Sequence, residues 1–315
     1  MATFTSFSDL LPDPNNKINT AGAVDAAGTA GPGFAKVKFT SDNTTQVSRT
    51  ISGRGVTASP SYHKWSFDIT YNPMTRDEFD PVASFLESRR GRLSPFYVIL
   101  PQHSSPKNSA FNTYVSSRLL NITSISATGT AVTLNFTAQA AIPFPTGTVI
   151  RVEGVTPAGY NGIYTATGGT TSSVTFASTT TGAMTIAGTI NGVTAAVTSA
   201  GSSTLMINCA ATSSGNPSPG DFFTISDPTD SNHKKVYKVI RVETNDTYQI
   251  GTTQPTVNQR RVHVQPPITR AITAGSGVNF INPKFRVVQK GDSLEYDLDT
   301  DNLYQFSLSL EEILP

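Results

Sequence analysis

The chain has 315 residues, with 23 Lys and Arg against 22 Asp and Glu, so its formal net charge is +1. Single domains usually span about 100–200 residues, so this length favours two or three domains over one core. The balanced charge excludes the basic footprint of a nucleic-acid-binding protein. Cys209 is the sole cysteine, which excludes an internal disulfide and a cysteine-based zinc site.

Residues 1–33 predict an extended N-terminal arm. They are rich in Gly, Ala, Asn and Pro, and they lack the apolar periodicity of a helix or strand. Two interpretations stay open: a disordered terminus, or an arm that orders only against a neighbouring subunit. The first residues, MATFTSFSDLL, have no basic region followed by an apolar one, and no run reaches about 18 apolar residues. We therefore expect neither a signal peptide nor a membrane segment.

Two strongly alternating segments predict the framework of a core domain. Residues 64–71, KWSFDITY, and residues 303–312, LYQFSLSLEE, alternate apolar and polar side chains, as strands with one buried face do. We expect both strands in one sheet of a β-sandwich core formed by residues 34–119 with 273–315. The middle of the chain is then an insertion, which is tolerated because loop closure becomes costlier only slowly with length.

One helix is predicted in the core domain, over about residues 76–90. Its apolar positions recur at helical spacing: Phe79, Val82, Ala83 and Leu86. Thr75 and Glu78 have the spacing of a capping box, and Gly91 supplies the stop. Pro81 lacks the amide that a helix interior requires, so we expect one turn from Thr75 and then the main helix, with Asp80 as its N-cap and Pro81 in its first position.

Two inserted β segments are predicted between the halves of the core. Residues 120–192 are rich in Thr, Ser, Gly and Ala, with short alternating runs separated by turn signals, which is typical of a small β-sandwich or barrel. Residues 193–272 continue with further strands such as VYKVIRV and RRVHVQ. The predicted fold class is therefore mainly β, with a β-sandwich core and one α-helix, split by small inserted β-sandwich or barrel domains.

The residues that commonly carry chemistry are scattered. The four histidines, His63, His103, His233 and His263, stand in four contexts, and none has a second His, Cys or acid at metal-ligand spacing. The string from Gly53 to Ala58 fits a loose G-x-G-x-x-A pattern, but Pro60 and a strand follow where a dinucleotide site needs a helix. We predict no catalytic, cofactor-binding or metal-binding residue, no cofactor, and no enzymatic activity.

Three further groups of polar residues are predicted to be structural. Asp297, Asp299 and Asp301 resemble the start of a calcium loop, but Asn302 and Leu308 replace its glycine and its last glutamate. We interpret them as carboxylates in a turn between two strands, with weak calcium binding as the open alternative. The remaining groups are basic and have acids nearby, so a solvated face or a subunit salt-bridge surface is favoured over nucleic-acid contact. They comprise Arg89, Arg90 and Arg92, and Lys234, Lys235, Lys238 and Arg241.

The order of these segments resembles the distal tail and lambda-type minor tail proteins of phages. The resemblance lies in VKFTSDNTTQVSRTISGRGV and in HKWSFDITYNPMTRDEFDPVASFLESRRGRLSPFYVILP, where an aromatic strand precedes a helix and a glycine turn. YQFSLSLEEI looks like the last strand of the same sandwich, and GDFFTISDPTDSNHKKVYKV with QPPITRAITAG is similar to β modules inserted into phage tail proteins. The matching core positions are Trp65, Phe67, Phe79, Phe85, Leu86, Gly91, Phe96 and Pro101.

The resemblance implies a structural subunit of a phage tail tip or baseplate, at the distal end of the tail in the virion and assembled in the host cytoplasm. It implies a ring of identical copies, commonly six, that joins the tail tube to the hub and to peripheral baseplate or fibre proteins. The alternative is a tail fibre or adhesin-like module whose inserted domain binds host glycan, with Tyr160 and Tyr164 as the best platform. The family's minimal domain is much shorter than this chain, so the insertions go beyond what the family predicts.

Overall fold

The computed structural model describes residues 9–12, 33–43, 46–58, 63–209 and 215–315. It divides into two compact units, Met1–Pro101 with Lys284–Pro315, and Gln102–Pro283. Most of the predicted arm, residues 1–33, lies outside the described residues. Neither described helix is long and apolar enough to cross a membrane.

The described residues form the following helices and strands in chain order, together with two single 3-10 turns at Pro101–His103 and Ala158–Tyr160. They are β1 Phe34–Asn43, β2 Gln46–Arg49, β3 Gly55–Ala58, β4 His63–Tyr71, α1 Arg76–Arg89, β5 Phe96–Ile99, α2 Ser109–Ser116, β6 Leu119–Ala127, β7 Ala131–Phe136, β8 Val149–Glu153, β9 Gly162–Gly169, β10 Ser173–Ala177, β11 Thr189–Asn191, β12 Thr194–Ala195, β13 Thr204–Asn208, β14 Phe222–Ser226, β15 Val236–Glu243, β16 Gln259–Gln265, β17 Gly277–Asn279, β18 Lys284–Gln289, β19 Tyr296–Leu298 and β20 Tyr304–Glu312.

The first unit is built on one sheet with the strand order β1-β4-β20-β18-β5, and β19 pairs with the first half of β20. Strand β20 lies antiparallel to β4, with Leu308 opposite Ile69 and Leu310 opposite Phe67. The expectation that the two alternating segments share a sheet is therefore confirmed. Their polar residues meet on the other face, where Ser309 Oγ donates to Asp68 Oδ1 at 2.8 Å.

Aromatic side chains fill the core of this unit. Trp65 and Phe67 are buried, and the rings of Phe39 and Phe285 pack against them at centroid distances of 4.8–6.4 Å. Burial of each such side chain contributes about 1.5–3 kcal/mol. Helix α1 turns its apolar stripe inward: Phe79, Val82, Phe85 and Leu86 are its buried residues.

Helix α1 spans the predicted range and has the predicted capping box, but it lacks the predicted break at Asp80. It is continuous over Arg76–Arg89 with Thr75 as N-cap, so Asp80 is not the N-cap and Pro81 lies inside the helix. The Thr75 amide donates to Glu78 Oε2 at 2.9 Å, which fixes the first turn before the proline is reached. The missing Pro81 amide would have bonded the carbonyl of Asp77, an exposed residue that water can serve, so the cost of the proline is limited.

The second unit enters and leaves the first at one point of the sheet. Strand β5 pairs with β18, and Ile99 lies directly opposite Lys284. The segment between them therefore occupies the position of a hairpin loop. Helix α2, which has no counterpart in the sequence-based expectations, lies in this segment and contributes Phe111 and Val115 to the core of a barrel.

Two closed barrels form the second unit. The first has the strand order β10-β7-β6-β11-β8-β9, and the second has the order β12-β13-β16-β15-β14-β17. Each has its own apolar core, with Val132, Leu134 and Phe176 in the first and Leu205, Ile207 and others in the second. The mainly β fold class is confirmed. The predicted division of the chain into separate domains, 34–119 with 273–315, 120–192 and 193–272, stays a prediction.

Polar contacts join the two barrels within their unit. Asn191 at the end of β11 donates from Nδ2 to the Val278 carbonyl in β17 at 3.1 Å, and Ser226 Oγ in β14 donates to Glu153 Oε2 in β8. The backbone of Gly275, at φ +88°, lies so close to the Ile163 side chain that a β-carbon there would meet it at 2.5 Å. The barrels therefore share a close-packed contact.

We predict opposite effects of alanine at two neighbouring glycines of β9. A β-carbon at Gly169 would lie 2.1 Å from the Phe144 carbonyl oxygen, whereas one at Gly168 would meet no atom within 4 Å. Gly169→Ala therefore forces a backbone shift, and we expect a loss of roughly 1–3 kcal/mol of unfolding free energy. Gly168→Ala, the matched control, leaves stability unchanged or slightly higher. Urea unfolding followed by circular dichroism measures both, and equal stability of the two variants would contradict this packing.

Candidate assembly surface

The structure places the four histidines in separate environments. His63 shares a hydrogen bond of 2.9 Å with the Ser41 hydroxyl, and burial lowers the pKa of His103, whose ring packs 4.6 Å from that of Phe222. His233 is buried in the second barrel, and His263 lies on its outer face. No group of three or more His, Cys, Asp or Glu in the described ranges is arranged to hold a metal ion.

The glycine string and the aspartate string both lie in turns. Gly53, at φ +79°, belongs to the turn between β2 and β3, so a strand rather than a helix follows the G-x-G pattern. In the turn between β19 and β20, Asp299 Oδ1 accepts the amides of Asp301 and Leu303, both at 2.9 Å. This carboxylate therefore caps its own turn. Asp297 belongs to β19.

The first basic group serves the fold of its own unit. Arg89 Nη1 lies 3.0 Å from Asp9 Oδ1, Arg92 donates to the Lys290 carbonyl, and Arg90, at φ 53°, is the left-handed cap of α1. In the second group, Lys238 Nζ lies 5.8 Å from the centre of the Phe222 ring. The other members are the exposed Lys234, the buried Lys235 and Arg241, which pairs with Glu243.

The tyrosines considered for glycan binding point into the first barrel or lie against it. Tyr160 is fully buried, and its hydroxyl donates to the Gly182 carbonyl at 2.6 Å. Tyr164 stacks on Phe176 at 4.1 Å and is half-buried. A glycan platform needs an exposed aromatic face, which the fully buried Tyr160 does not have, and one face of Tyr164 is taken up by Phe176. Trp65, the single tryptophan, is buried.

One sheet edge is covered by the start of the chain itself. Leu10 bridges Tyr97 of β5 in parallel, the Leu11 amide donates to the Tyr97 carbonyl at 2.9 Å, and the Tyr97 amide donates to Asp9. Leu10 and Leu11 are both buried. Residues 9–11 of the arm therefore pack on their own unit, because the two adjacent leucines have an apolar site at the edge of its sheet.

The β2–β3 hairpin is the most exposed apolar feature of the first unit. Within the described residues it forms a two-stranded sheet of its own, with Val47 opposite Thr57 and Ser48 opposite Val56. Val47, Val56 and Ile51 at the tip are exposed, Ile51 completely. Opposite pairs share a face, so the two valines lie on opposite faces of the ribbon. A hairpin of this kind is marginally stable alone in water, so an additional surface would stabilise it.

Sequence reasoning did not single out this hairpin. The available signal was the short turn TISGRG between Val47 and Val56, with an isoleucine where a turn usually has polar residues. An apolar residue at the tip of a short hairpin has no neighbour of its own chain to cover it. Such residues mark an exposed patch of the kind that proteins use for association.

A buried hydrogen-bond chain fixes a loop of the second barrel. His233 Nε2 and the Tyr237 hydroxyl lie 2.8 Å apart, and that hydroxyl accepts the Thr269 amide at 3.0 Å. Burial lowers the pKa of His233 to about 4, although the nearby Asp227 and Asp230 act in the opposite direction. The histidine is therefore neutral in the folded protein at pH 7.

We predict that the second unit loses stability as the pH falls from about 6.5 to about 4. His233 has a lower pKa in the folded than in the unfolded state, so over this window the unfolded chain binds more protons. The loss amounts to roughly 3 kcal/mol at the lower end. His233→Gln removes this part of the pH dependence, and Lys234→Gln, an adjacent exposed position whose charge makes the smallest contribution to the lowered pKa, leaves most of it. Urea unfolding at several pH values tests this, and an unchanged slope in His233→Gln would contradict it.

Comparison with known proteins links the second unit to phage tails. Residues 182–272 match the family described as distal tail protein pb9, B domain. The match runs from just before β11 to just before β17 and so covers most of the second barrel. No curated protein matches the chain. The match supports a structural role in a phage tail and the resemblance of this chain to phage distal tail proteins.

Proposed function

We propose that the chain is a structural subunit of a phage tail tip or baseplate that forms a ring of identical copies. The ring, of six copies by resemblance to the family, joins the tail tube to the hub and to peripheral baseplate or fibre proteins. Its place is the distal end of the tail in the virion, after assembly in the host cytoplasm. The match over residues 182–272 is the observation that carries the assignment to a tail.

The ring itself is supported by the β2–β3 hairpin. In a closed ring one patch of each subunit meets a different patch of the next, so each copy needs a projecting element and a receiving surface. Ile51, Val47 and Val56 are exposed on the hairpin, and burying each of them would contribute about 1.5–3 kcal/mol. A neighbouring copy that covers the hairpin would also stabilise the two-stranded ribbon.

The barrels support contacts of another kind. A closed barrel has no sheet edge, so strand addition does not take place on it, and partners meet its loops and outer faces. We assign contacts with peripheral baseplate or fibre proteins to these surfaces. The glycan-binding alternative has less support than the ring, because Tyr160 is fully buried and one face of Tyr164 packs on Phe176.

The ring predicts a clear effect of charge at the hairpin tip. Ile51→Asp places a carboxylate where the proposed contact excludes water, so we expect the variant to stay monomeric while its circular dichroism spectrum is unchanged. Leu93→Asp is the matched control, because Leu93 is also an exposed apolar residue of a turn in the same unit.

The measurement is native mass spectrometry and electron microscopy of the full chain, alone and with the tail tube protein. We expect rings from the wild-type and Leu93→Asp chains and monomers from Ile51→Asp. A wild-type chain that stays monomeric even with the tube protein would rule out the ring. If Ile51→Asp forms rings as well as the wild-type chain does, the ring proposal stands, but the hairpin is not part of the contact between subunits.

A further inference from the structure

A buried charge cluster lies on the outside of the second barrel. Arg261 Nη1 lies 2.7 Å and His263 Nε2 2.9 Å from the two carboxylate oxygens of Glu243, and Arg241 also pairs with this carboxylate. On paired strands β15 and β16, Glu243 is opposite Arg261 and Arg241 is opposite His263, so the four side chains share one face. That face is opposite to the one that Val262 and Val264 turn into the core.

Outward side chains of a barrel are normally exposed, but here two of them are covered. The side chain of Glu243 is 4% exposed and that of Arg261 is 10% exposed. Charged side chains are rarely buried unless they are paired, and the pairing here is with each other. Something outside the barrel wall must therefore exclude water from them.

The cover is the segment 244–258, which connects β15 to β16 and which we call the strap. Its Gln249 amide donates to the Glu243 carboxylate, and Arg261 donates to Thr252 Oγ1 at 2.7 Å and to the Thr253 carbonyl. Inside the strap, Asn245 Nδ2 donates to the Pro255 carbonyl at 3.0 Å. The strap is therefore bound to the barrel by the two residues that form the buried ion pair and, at its C-terminal end, by the Arg260–Val257 and Cys209–Asn258 hydrogen bonds.

Apolar packing contributes little to the strap. Ile250 is 93% exposed, Val257 is exposed, and of residues 246–258 only Pro255 is buried. Loops longer than about 12–15 residues without secondary structure are uncommon and are usually functional or disordered. This one is held in place mainly by polar contacts: those of Glu243 and Arg261 in its first part, and those of Arg260 and Cys209 at its C-terminal end.

We infer that the strap is a charge-operated conformational device, held closed on the second barrel by Glu243 and released as one unit when that carboxylate is neutralised. Neutralisation leaves Arg261, whose side chain is 10% exposed, without its anion beneath the cover, and an unpaired buried charge is strongly unfavourable. The least costly relief is local opening of the strap, because few apolar contacts are lost and the core strands stay paired. Opening uncovers Arg261 beside the half-exposed Arg241 and so completes a basic face that includes His263.

Low pH favours opening of the strap, as substitution of Glu243 does, because both remove the negative charge of this carboxylate. Burial raises the pKa of Glu243, but hydrogen bonds from His263, Arg261 and the Gln249 amide, with the charge of Arg241, hold it below its ordinary value. A depressed carboxyl pKa stabilises the closed strap above the ordinary value, about 4.3, and this stabilisation is lost as the pH falls through the folded-state pKa. The charged and titratable groups that contact Glu243 are Arg241, Arg261 and His263 on the strands, and the strap itself carries Asp246 and Tyr248.

Hydrogen exchange of the full chain, read by mass spectrometry at neutral pH, tests the device. In Glu243→Gln we expect amides of residues 244–258 to exchange at least tenfold faster, while amides of β13 and β16 keep wild-type rates. Asp246→Asn is the matched control: it removes a charge from the strap itself and should leave exchange unchanged.

Thr252→Val gives a second arm that keeps every charge. It removes the Arg261–Thr252 hydrogen bond from the strap side, and we expect a smaller acceleration confined to the strap. Strap exchange at wild-type rates in both Glu243→Gln and Thr252→Val would overturn the inference. So would simultaneous loss of protection in the strap and the barrel strands in both variants, because the strap would then not be a separate unit.

Discussion

The pairing of β4 with β20 is the constraint on which the first unit depends. The two strands come from opposite ends of the chain, and the Asp68–Ser309 hydrogen bond joins residues 241 positions apart. In the sheet order β1-β4-β20-β18-β5, strand β20 joins β1 and β4 on one side to β18 and β5 on the other. Strands β5 and β18 are the ones that flank the insertion. Helix α1 stacks Phe79 on Tyr304 of the same strand at 4.5 Å. The last strand of the chain therefore completes both the sheet and the helix packing.

Local sequence patterns predicted the elements that carry their own signal. Strict alternation predicted strands β4 and β20 and their position in one sheet. A half-buried strand needs this pattern whatever its neighbours are. The bounds of α1 were predicted from its capping box and apolar spacing, but the predicted break at Asp80 was wrong, because the first turn fixed by the Glu78–Thr75 contact continues through Pro81. Helix α2 was not predicted because it is short and has only two buried residues. Those residues pack on a barrel formed by strands that come later in the sequence, so no local pattern indicates their burial.

The functional surfaces were harder to predict than the core for a physical reason. Exposure of Ile51 and burial of Glu243 both contradict the usual preference of the residue type, and each depends on what lies nearby in space. For Glu243, the deciding neighbours are Arg261 on the next strand and the segment that folds back over it. In the sequence alone, Glu243 is a glutamate at the end of a strand, a position that is ordinarily solvated.

The second barrel repeatedly uses buried polar groups to hold its loops. Asp227 accepts the amides of Thr229 at 2.8 Å and Thr273 at 2.7 Å, and these hydrogen bonds outweigh burial and lower its pKa to about 2. His233 and Tyr237 fix the segment at Thr269 in the same manner. Such contacts specify one loop geometry, since each partner is left unsatisfied in any other.

The point of insertion has an evolutionary consequence. Because Ile99 and Lys284 face each other across adjacent strands, everything between them could be shortened, replaced or acquired by recombination while β5 and β18 keep their register. A gene with this layout can change the two barrels while the sheet of the first unit is left intact.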